Sequence, residues 1–391
     1  MATNVINIRR FVDVTTSVQE TPMDVRRDWG ALLFVQKGTD GQTTVLNKYN
    51  DLDAVVTGEG SNSEAVKYAT VFFGTSYAGV YVKSPMYVAT IGAEDETEFT
   101  TNFTALLGSE EYFYIGLDTN FADSVKKVAA ALTAAGQAKT SHKLVLDDSS
   151  ANVFDKTLEE EEALGASCSV GAYVALNKYN CVAVCAINPS NTNKYYSAAL
   201  AAFYASRTFS TARTQMCSIC FKVASGITAI DGTDSGLSAA SDLDTKYANL
   251  VEKNVNVYTN VKLVGLTAWS MGYTGSGDEI SDMVSADYLT YRVTMAVFNL
   301  LQTTPRLAMN ADGASRLATV LSLCFQDLAS AGVISGGTSL DGEVFPTSGF
   351  KYSIPMPTGV KKANGLWDGI ICKALLAGST KKVVIFNDLV K

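Results

Sequence analysis

The run Tyr112-Phe113-Tyr114-Ile115-Gly116-Leu117, followed by the polar turn Asp118-Thr119-Asn120, has the pattern of a buried strand that ends at a loop. An alanine-rich segment then starts at Ala122 and stops at Gly136. It predicts a helix, because glycine is favoured just beyond a helix's last turn. The alternation continues with predicted strands at residues 142–146, 181–187 and 216–223 and helices at 159–162 and 195–205. Strands at roughly 30-to-40-residue intervals with helices between them predict β-α-β units and a largely parallel sheet.

The pattern extends toward the N-terminus and changes after Asn254. Further elements are predicted as a strand at residues 31–35 and helices at 63–73, 286–301 and 313–331. The last of these helices begins behind Asn310 or Asp312 as its cap and ends at Gly332. The chain is therefore predicted to have an α/β fold, α+β overall, with a mixed or parallel sheet and flanking helices.

Both ends of the chain contain a short strand pattern without an evident local partner. The apolar residues of these two strands are Val5, Ile6, Ile8, Phe11, Val12 and Val14 near the start and Val383, Val384, Ile385 and Phe386 near the end. A lone strand cannot satisfy its own backbone groups. The two segments are predicted either to dock on other subunits by strand addition or to pair inside one subunit.

Composition limits the possible functions. The chain has 391 residues, of which 47% are hydrophobic and 18% charged, enough for two or three domains with sizeable cores. Its net charge of −8 argues against nucleic acid as a general partner. No apolar run reaches the roughly 18 residues of a membrane span, and residues 1–10 lack the apolar region of a signal peptide. These features predict a protein made and assembled in a cytoplasm, without membrane insertion.

The seven cysteines fit a reducing compartment, because their number is odd and most lie in apolar runs. Cys217 and Cys220 form a C-x-x-C motif. A zinc site would need a second ligand pair, and a redox motif would place its first cysteine at a helix start. The motif lies in the predicted strand at residues 216–223, so buried thiols are the favoured interpretation.

The β-α-β region suggests an enzyme, since such sheets bind ligands at the carboxyl ends of their strands. The polar segments there begin at Asp118, Asp147 and Asn188, but no G-x-G-x-x-G or G-x-x-x-x-G-K-[ST] motif accompanies them. His142 is the chain's only histidine and opens a predicted strand, which favours a structural role. The acidic residues Asp278, Glu279, Asp282 and Asp287 could hold a hard cation, but they also suit a helix start. No catalytic site, cofactor or metal is predicted.

Fragments along nearly the whole chain resemble the contractile tail sheath proteins of bacteriophages and related contractile injection systems. They comprise residues 49–55, 63–69, 72–73, 253–258, 272–282, 287–289, 300–301, 305–307, 312–313 and 354–357 and the final apolar strand. Residues 120–210 are the least similar part.

The resemblance implies a mechanical function without catalysis. Subunits would stack as six-membered rings around a tail tube, joined by exchange of their terminal strands, and contraction would drive the tube through the host envelope. The implied partners are further copies of the chain, the tail tube protein, and baseplate and tail terminator proteins. The implied location is the virion tail, assembled in the bacterial host cytoplasm. Two alternatives stay open: a cytoplasmic α/β enzyme using the crevice near Asp118 and Asp147, and another phage assembly protein such as a capsid or tube component.

The resemblance also implies a division of the chain. Residues 1–20 and 381–391 would be strand arms, residues 21–253 an outer α/β domain, and residues 254–380 an inner, tube-facing domain built from both chain ends. From residue 351 to 391 the chain has seven lysines and two acidic residues. Lys361, Lys362 and Lys373 are predicted either to face an acidic tube surface or to form a solvated basic edge that blocks stray strand pairing.

Overall fold

The computed structural model describes residues 28–38, 45–92, 96–108, 111–121, 124–137, 142–187, 195–209, 215–230, 240–261 and 266–378. Its strands are β1 Leu32–Gly38, β2 Val45–Tyr49, β3 Ser76–Tyr77, β4 Val80–Tyr81, β5 Met86–Gly92, β6 Tyr114–Leu117, β7 Lys143–Asp148, β8 Val182–Ala186, β9 Tyr258–Val261, β10 Leu266–Trp269, β11 Gly337–Thr338, β12 Val344–Phe345, β13 Phe350–Ser353 and β14 Ile371–Ala374. Its helices are α1 Leu52–Glu59, α2 Glu64–Gly74, α3 Glu96–Leu107, α4 Ser124–Gln137, α5 Ala151–Asp155, α6 Leu158–Glu162, α7 Val170–Leu176, α8 Tyr196–Ala205, α9 Ala240–Glu252, α10 Ile280–Thr303, α11 Ala311–Ser330 and α12 Gly359–Ala363.

A six-stranded sheet in the order β2-β5-β1-β6-β7-β8 forms the main body. All neighbours in it are parallel except the edge strand β2, which runs antiparallel to β5. Helices α2 and α8 pack on one face, and α3, α4 and α7 on the other. Both faces are covered, so β6 and β8 are apolar and buried throughout, as expected for a parallel sheet. The predicted α/β class with a mixed sheet is confirmed.

The predicted strand at residues 216–223 is wrong. Residues 216–223 have no regular structure and turn at Cys220 and Phe221. The backbone N–H of Cys220 donates to Ser218 Oγ at 3.1 Å, and Phe221 has a positive φ of 64°. A side-chain turn of this kind competes with strand geometry, and apolar composition alone does not reveal it.

A second, smaller core forms where α10 and α11 pack as an antiparallel pair beneath β13 and β14. The helix α11 begins at Asn310, whose side chain accepts hydrogen bonds from the backbone N–H groups of Asp312 and Gly313. Of the two predicted caps, Asn310 is therefore the one used.

Helix α10 connects the two cores. Ile280 and Val284 near its start belong to the core of the sheet, whereas Leu289 and Val293 belong to the second core. The helix has 24 residues and is about 36 Å long at about 1.5 Å per residue. Between its two apolar parts, Asp287 is buried and forms an ion pair with Lys143 of β7 at 2.9 Å.

An aromatic cluster surrounds this connection. The ring of Tyr288 stacks on Phe209, with centroids 3.6 Å apart. The ring of Trp29 contacts Phe113, Phe209, Tyr288 and Tyr291, with centroid distances between 4.8 and 5.9 Å. Aromatic pairs contribute about 0.5–1.5 kcal/mol beyond the area that they bury. The start of the described chain, the sheet and α10 are thus held together at one place.

The core of the sheet includes residues beyond the predicted domain boundary at 253. Val255, Val257, Tyr258 and Trp269 are buried in the same hydrophobic cluster as the sheet. The division into an outer domain (residues 21–253) and an inner domain (residues 254–380) stays a prediction. Among the described residues, no helix has both the length and the apolarity that a membrane span requires.

A fully buried ion pair fixes the helices around α7. Lys253 Nζ donates to Glu161 Oε1 at 2.9 Å and to the carbonyl oxygens of Asn152 and Val153. The Glu161 carboxylate also accepts hydrogen bonds from the N–H and hydroxyl of Ser169. The pair therefore joins α5, α6, the start of α7 and the end of α9.

Replacing Lys253 by Met should destabilise the chain by about 3–5 kcal/mol, because it leaves the Glu161 charge buried without its cation. Urea unfolding followed by circular dichroism measures this loss. The double variant Lys253→Met/Glu161→Leu should lose less than the single variant. A double variant that is less stable than Lys253→Met would contradict the role of the uncompensated charge.

Candidate functional site

The residues predicted for strand exchange lie outside the described residues. They are Val5, Ile6, Ile8, Phe11, Val12, Val14, Val383, Val384, Ile385 and Phe386. Their role stays a prediction, and the candidate site is built from the surfaces that the structure describes.

The sheet β13–β14 offers edges to which a further strand could be added. The two strands pair antiparallel, from Phe350 opposite Ala374 to Ser353 opposite Ile371. Within the described ranges this sheet contains only two strands. Free backbone groups along such edges can pair with a strand from another chain, and isolated two-stranded sheets are marginally stable.

The two faces of this sheet differ. On the inner face, Phe350 stacks on Phe325 of α11, with centroids 4.9 Å apart, and Ser322 Oγ lies 3.0 Å from the Tyr352 hydroxyl. On the outer face, Ile371 is 57% exposed beside Lys373. The inner face thus holds the sheet on the second core and leaves the outer face accessible.

The lysines of this region are largely paired with carboxylates of the same chain. Lys351 and Lys373 lie opposite each other across the sheet, and Glu343 lies 3.4 Å from the first and 2.9 Å from the second. The hydrogen bond from Lys373, followed by that from Lys351, lowers the pKa of Glu343. Because like charges on facing residues repel each other, Glu343 stabilises the strand pair.

The lysines of α12 differ in their partners. Lys361 forms an exposed ion pair with Asp368 at 2.5 Å. Lys362 has no carboxylate within ion-pair distance in the described part of the chain. The neighbouring Val360 and Leu366 are 76% and 52% exposed. We call residues 350–374, which contain this mixed surface and carry four lysines and one aspartate, the basic segment.

The carboxylates at the carboxyl ends of the strands bind backbone groups. Asp118, after β6, accepts hydrogen bonds from the N–H of Lys37 at 3.2 Å and from that of Asn120 at 2.9 Å. Asp147, in β7, accepts from the N–H of Ser197 at 2.8 Å and from the Ser197 hydroxyl. These bonds fix a loop and the start of α8.

Asp148, the last residue of β7, has the same kind of role. Its carboxylate accepts from the N–H of Gly171 in α7 at 2.8 Å and from that of Ser150 at 2.9 Å. Burial raises the pKa of Asp148 and of Asp118, and it raises the pKa of Asp147 to about 7. The oxygens of Asp118 hold a loop to β1, and those of Asp147 and Asp148 hold helices to β7. Structural capping therefore explains the carboxylates of the crevice predicted near Asp118 and Asp147 better than chemistry does.

The histidine and the cysteines, which were the other residues considered for chemistry, also make contacts that stabilise the fold. His142 is buried, with Nε2 3.1 Å from the Leu107 carbonyl oxygen and its ring 5.4 Å from that of Tyr112. The Cys220 thiol of the C-x-x-C motif donates to the carbonyl oxygen of Ser270 at 3.2 Å. All seven cysteines are free thiols, and Cys168, Cys181, Cys185 and Cys324 are buried.

The acidic run from Asp278 to Asp287 is divided between two roles. Glu279 is the N-cap residue of α10 and Asp282 lies in its first turn, as expected for a helix start. Asp287 is further along the helix and pairs with Lys143. Among the described residues, no group of three or more histidine, cysteine or acidic side chains is arranged to hold a metal.

Comparison with solved structures shows which known proteins share this fold. No protein-family model and no curated protein matches the sequence. A chain in the baseplate of the anti-feeding prophage (AFP), 6-fold symmetrised, matches with a TM-score of 0.63 and 14% identity over 100% of both chains. A chain of the contracted AFP helical sheath matches with a TM-score of 0.57 and 14% identity over 94% of this chain and 95% of that one.

A third similar structure is the contracted sheath complex of PVC, an extracellular contractile injection system. It gives a TM-score of 0.57 and 10% identity over 93% of both chains. The chain therefore shares its fold, over nearly its whole length, with components of contractile assemblies. The resemblance noted in the sequence is confirmed at the level of the fold.

Replacing Asp147 by Asn should flatten the dependence of stability on pH. The folded pKa of about 7 lies above the value of about 3.9 expected in the unfolded chain, so the folded state binds the proton more tightly. The contribution of Asp147 to stability should therefore fall between about pH 4 and pH 7, and the uncharged amide of the variant removes this contribution. Thermal midpoints measured across this range test it.

The matched control is Asp341→Asn, which changes an exposed aspartate. It should keep the pH profile of the parent chain, whereas Asp147→Asn should gain stability relative to the parent as the pH rises. Identical profiles for the parent and Asp147→Asn would contradict a raised pKa at this carboxylate.

Proposed function

We propose that the chain is the subunit of a contractile sheath that polymerises as six-membered rings around a tube and contracts to drive the tube through an envelope. The observation that carries this proposal is the fold match to sheath chains over 93% or more of the length of both proteins. The sequence resemblance, which rests on fragments within residues 49–73 and 253–313, on residues 354–357 and on the final apolar strand, supports it independently.

Strand exchange would connect the subunits. The terminal segments with Val5 to Val14 and Val383 to Phe386 would supply strands, and β13–β14, which has two strands within the described residues, would receive them. Ten extended residues reach about 33 Å, enough to cross to a neighbouring subunit. Backbone pairing of this kind would keep the lattice connected while the compact bodies rotate.

The energy for contraction would be stored in the lattice during assembly rather than supplied by a reaction. The carboxylates of the sheet crevice, the histidine and the C-x-x-C motif all make contacts that hold the fold together. This arrangement favours a structural role over the cytoplasmic enzyme.

The basic segment would contact the tube. Of the three predicted lysines, Lys361 and Lys373 are already paired with Asp368 and Glu343. Lys362, with exposed Val360 nearby, is the better candidate for an acidic partner surface. Exposed ion pairs contribute about 0–1 kcal/mol each. Such weak contacts suit a surface that must bind the tube during assembly and dissociate from it during contraction.

The further partners would be baseplate and tail terminator proteins, in a virion tail or a related injection apparatus assembled in the bacterial cytoplasm. A baseplate subunit is the second candidate function, because a match over 100% of both chains comes from a baseplate structure. A sheath subunit should form long tubular polymers, whereas a baseplate subunit should stop at a closed ring.

Negative-stain electron microscopy of the purified, tag-free protein at high concentration tests the function. Hollow, striated sleeves of uniform width are expected. Single rings that do not stack would favour the baseplate subunit. Small particles that also fail to assemble when tube and baseplate are added would contradict both candidates.

Deletion of residues 1–14 should abolish polymerisation and leave the subunit folded, because these residues would pair with a neighbour rather than within the subunit. Sedimentation shows the loss of polymer, and circular dichroism with a thermal melt shows that the fold is kept. Replacing Phe11 and Val12 by Asp in the full chain is a less drastic second variant. Normal sleeves from both variants would rule out exchange of the N-terminal strand.

Charge reversal at Lys362 should weaken assembly on tubes more than reversal at Lys361, whose charge is already compensated by Asp368. Cosedimentation of Lys362→Glu and Lys361→Glu with preformed tubes, at low and high salt, measures the difference. Polymerisation without the tube should be unchanged for both. Equal binding of Lys362→Glu and the parent at low salt would contradict a tube contact at this lysine.

A further inference from the structure

Buried polar groups gather where α10 crosses the start of strands β6 and β7. Tyr114 and Lys143 are the first residues of these strands and lie directly opposite each other in the parallel register. Their side chains therefore project from the same face of the sheet. Asp287 of α10 meets them there, with Oδ2 2.9 Å from Lys143 Nζ. The side chains of Lys143 and Asp287 are only 5% and 1% exposed.

The hydrogen bonding of this group is incomplete. The Tyr114 hydroxyl and Asp287 Oδ1 are buried and find no hydrogen-bond partner among the described residues. Asp287 Oδ2, in contrast, lies 2.9 Å from the Lys143 ammonium. Buried polar groups in native proteins are nearly always satisfied, either by protein or by ordered water.

A second buried tyrosine hydroxyl, that of Tyr204, also finds no hydrogen-bond partner among the described residues. Tyr204 belongs to α8, which packs on β6. Burial, followed by the charge of Asp287, raises the pKa of Tyr114, and burial followed by Glu279 raises that of Tyr204. Both hydroxyls therefore stay protonated and able to donate.

We propose that internal water molecules complete the hydrogen bonds of the Tyr114 hydroxyl and Asp287 Oδ1 in the seam where α10 crosses β6 and β7. Water accepts a hydrogen bond from a tyrosine hydroxyl and donates to a carboxylate, which is the combination that this group lacks. A bound cation fits less well, because the Lys143 ammonium already compensates the charge of Asp287. The hydrated seam would hold α10 to the sheet by polar contacts at the point where the helix leaves one core and enters the other.

The substitution Tyr114→Phe distinguishes between two states of the Tyr114 hydroxyl, one bound to water and one without a hydrogen-bond partner. Phe removes only the oxygen, so the ring packing is kept. If water binds there, the variant loses a hydrogen bond and its thermal midpoint should fall by about 2 °C. If the hydroxyl has no partner, its removal abolishes a desolvation cost, and an unchanged or raised midpoint would overturn the proposal.

Two matched variants calibrate this measurement. Tyr77→Phe removes a hydroxyl that donates to the Ala199 carbonyl oxygen at 2.9 Å and accepts from Trp269 Nε1 at 2.9 Å, so it should lower the midpoint by more than Tyr114→Phe. Tyr81→Phe alters a side chain that is 53% exposed, and it should not. The effect of Tyr114→Phe should also shrink in an Asp287→Asn background, because the two groups would share the water. Purely additive effects would count against a shared water molecule.

A cation is distinguished by exchanging sodium for choline at constant ionic strength and by adding a chelator. A thermal midpoint that changes with the ion would indicate a bound cation instead of water and would overturn the proposal. A cryo-EM map of the assembled protein at a resolution that shows ordered water gives the direct test. Density within hydrogen-bond distance of the Tyr114 hydroxyl is expected, and an empty seam in a well-ordered map would refute it.

Discussion

The passage of one helix through two hydrophobic cores is the constraint on which the rest of the structure depends. Helix α10 buries Ile280 and Val284 against the sheet and Leu289 and Val293 against α11. Between them lie the ion pair of Asp287 with Lys143 and the aromatic contacts of Tyr288. A continuous helix resists bending, so a force on the small core reaches the sheet without a flexible linker in between. Together with the contacts of Phe209 and Gln215, this helix sets how the second core and the basic segment lie relative to the sheet.

The sequence predicts those parts of the fold that rest on local patterns. The strands at Tyr114, Lys143 and Val182 and the helices at Tyr196 and Ala311 were all expected, because apolar runs and caps identify them. The order of the strands in the sheet could not be predicted, since it depends on contacts between distant residues. The segment around Cys220 has the apolar pattern of a strand but forms a turn, which depends on the Ser218 side chain and a positive φ at Phe221.

The candidate site was predictable only in part. The excess of lysine near the C-terminus is evident in the sequence, but the pairing of Lys373 with Glu343 and of Lys361 with Asp368 is not. Helical spacing placed Leu289 and Val293 on one stripe but gave no reason for a buried Asp287 between the two cores, because its partner lies in β7, far away in the sequence. Conversely, the positions of Asp118 and Asp147 at the ends of strands are typical of catalytic residues. Only the backbone N–H groups that donate to them show that they stabilise a loop and the start of a helix.

The order of the elements along the chain has a consequence for biosynthesis. The core of the sheet is built from residues between Ala31 and Val284, whereas the buried residues of the second core run from Leu289 to Ile334, and β13 and β14 follow them. A ribosome adds about 5–20 residues per second, so the sheet can close before the second core is complete. Strands β13 and β14 therefore form last, on a body that is already folded. In the proposed assembly, newly made chains would thus offer the edges of this small sheet only once the main sheet has formed, which would limit mispairing between nascent chains.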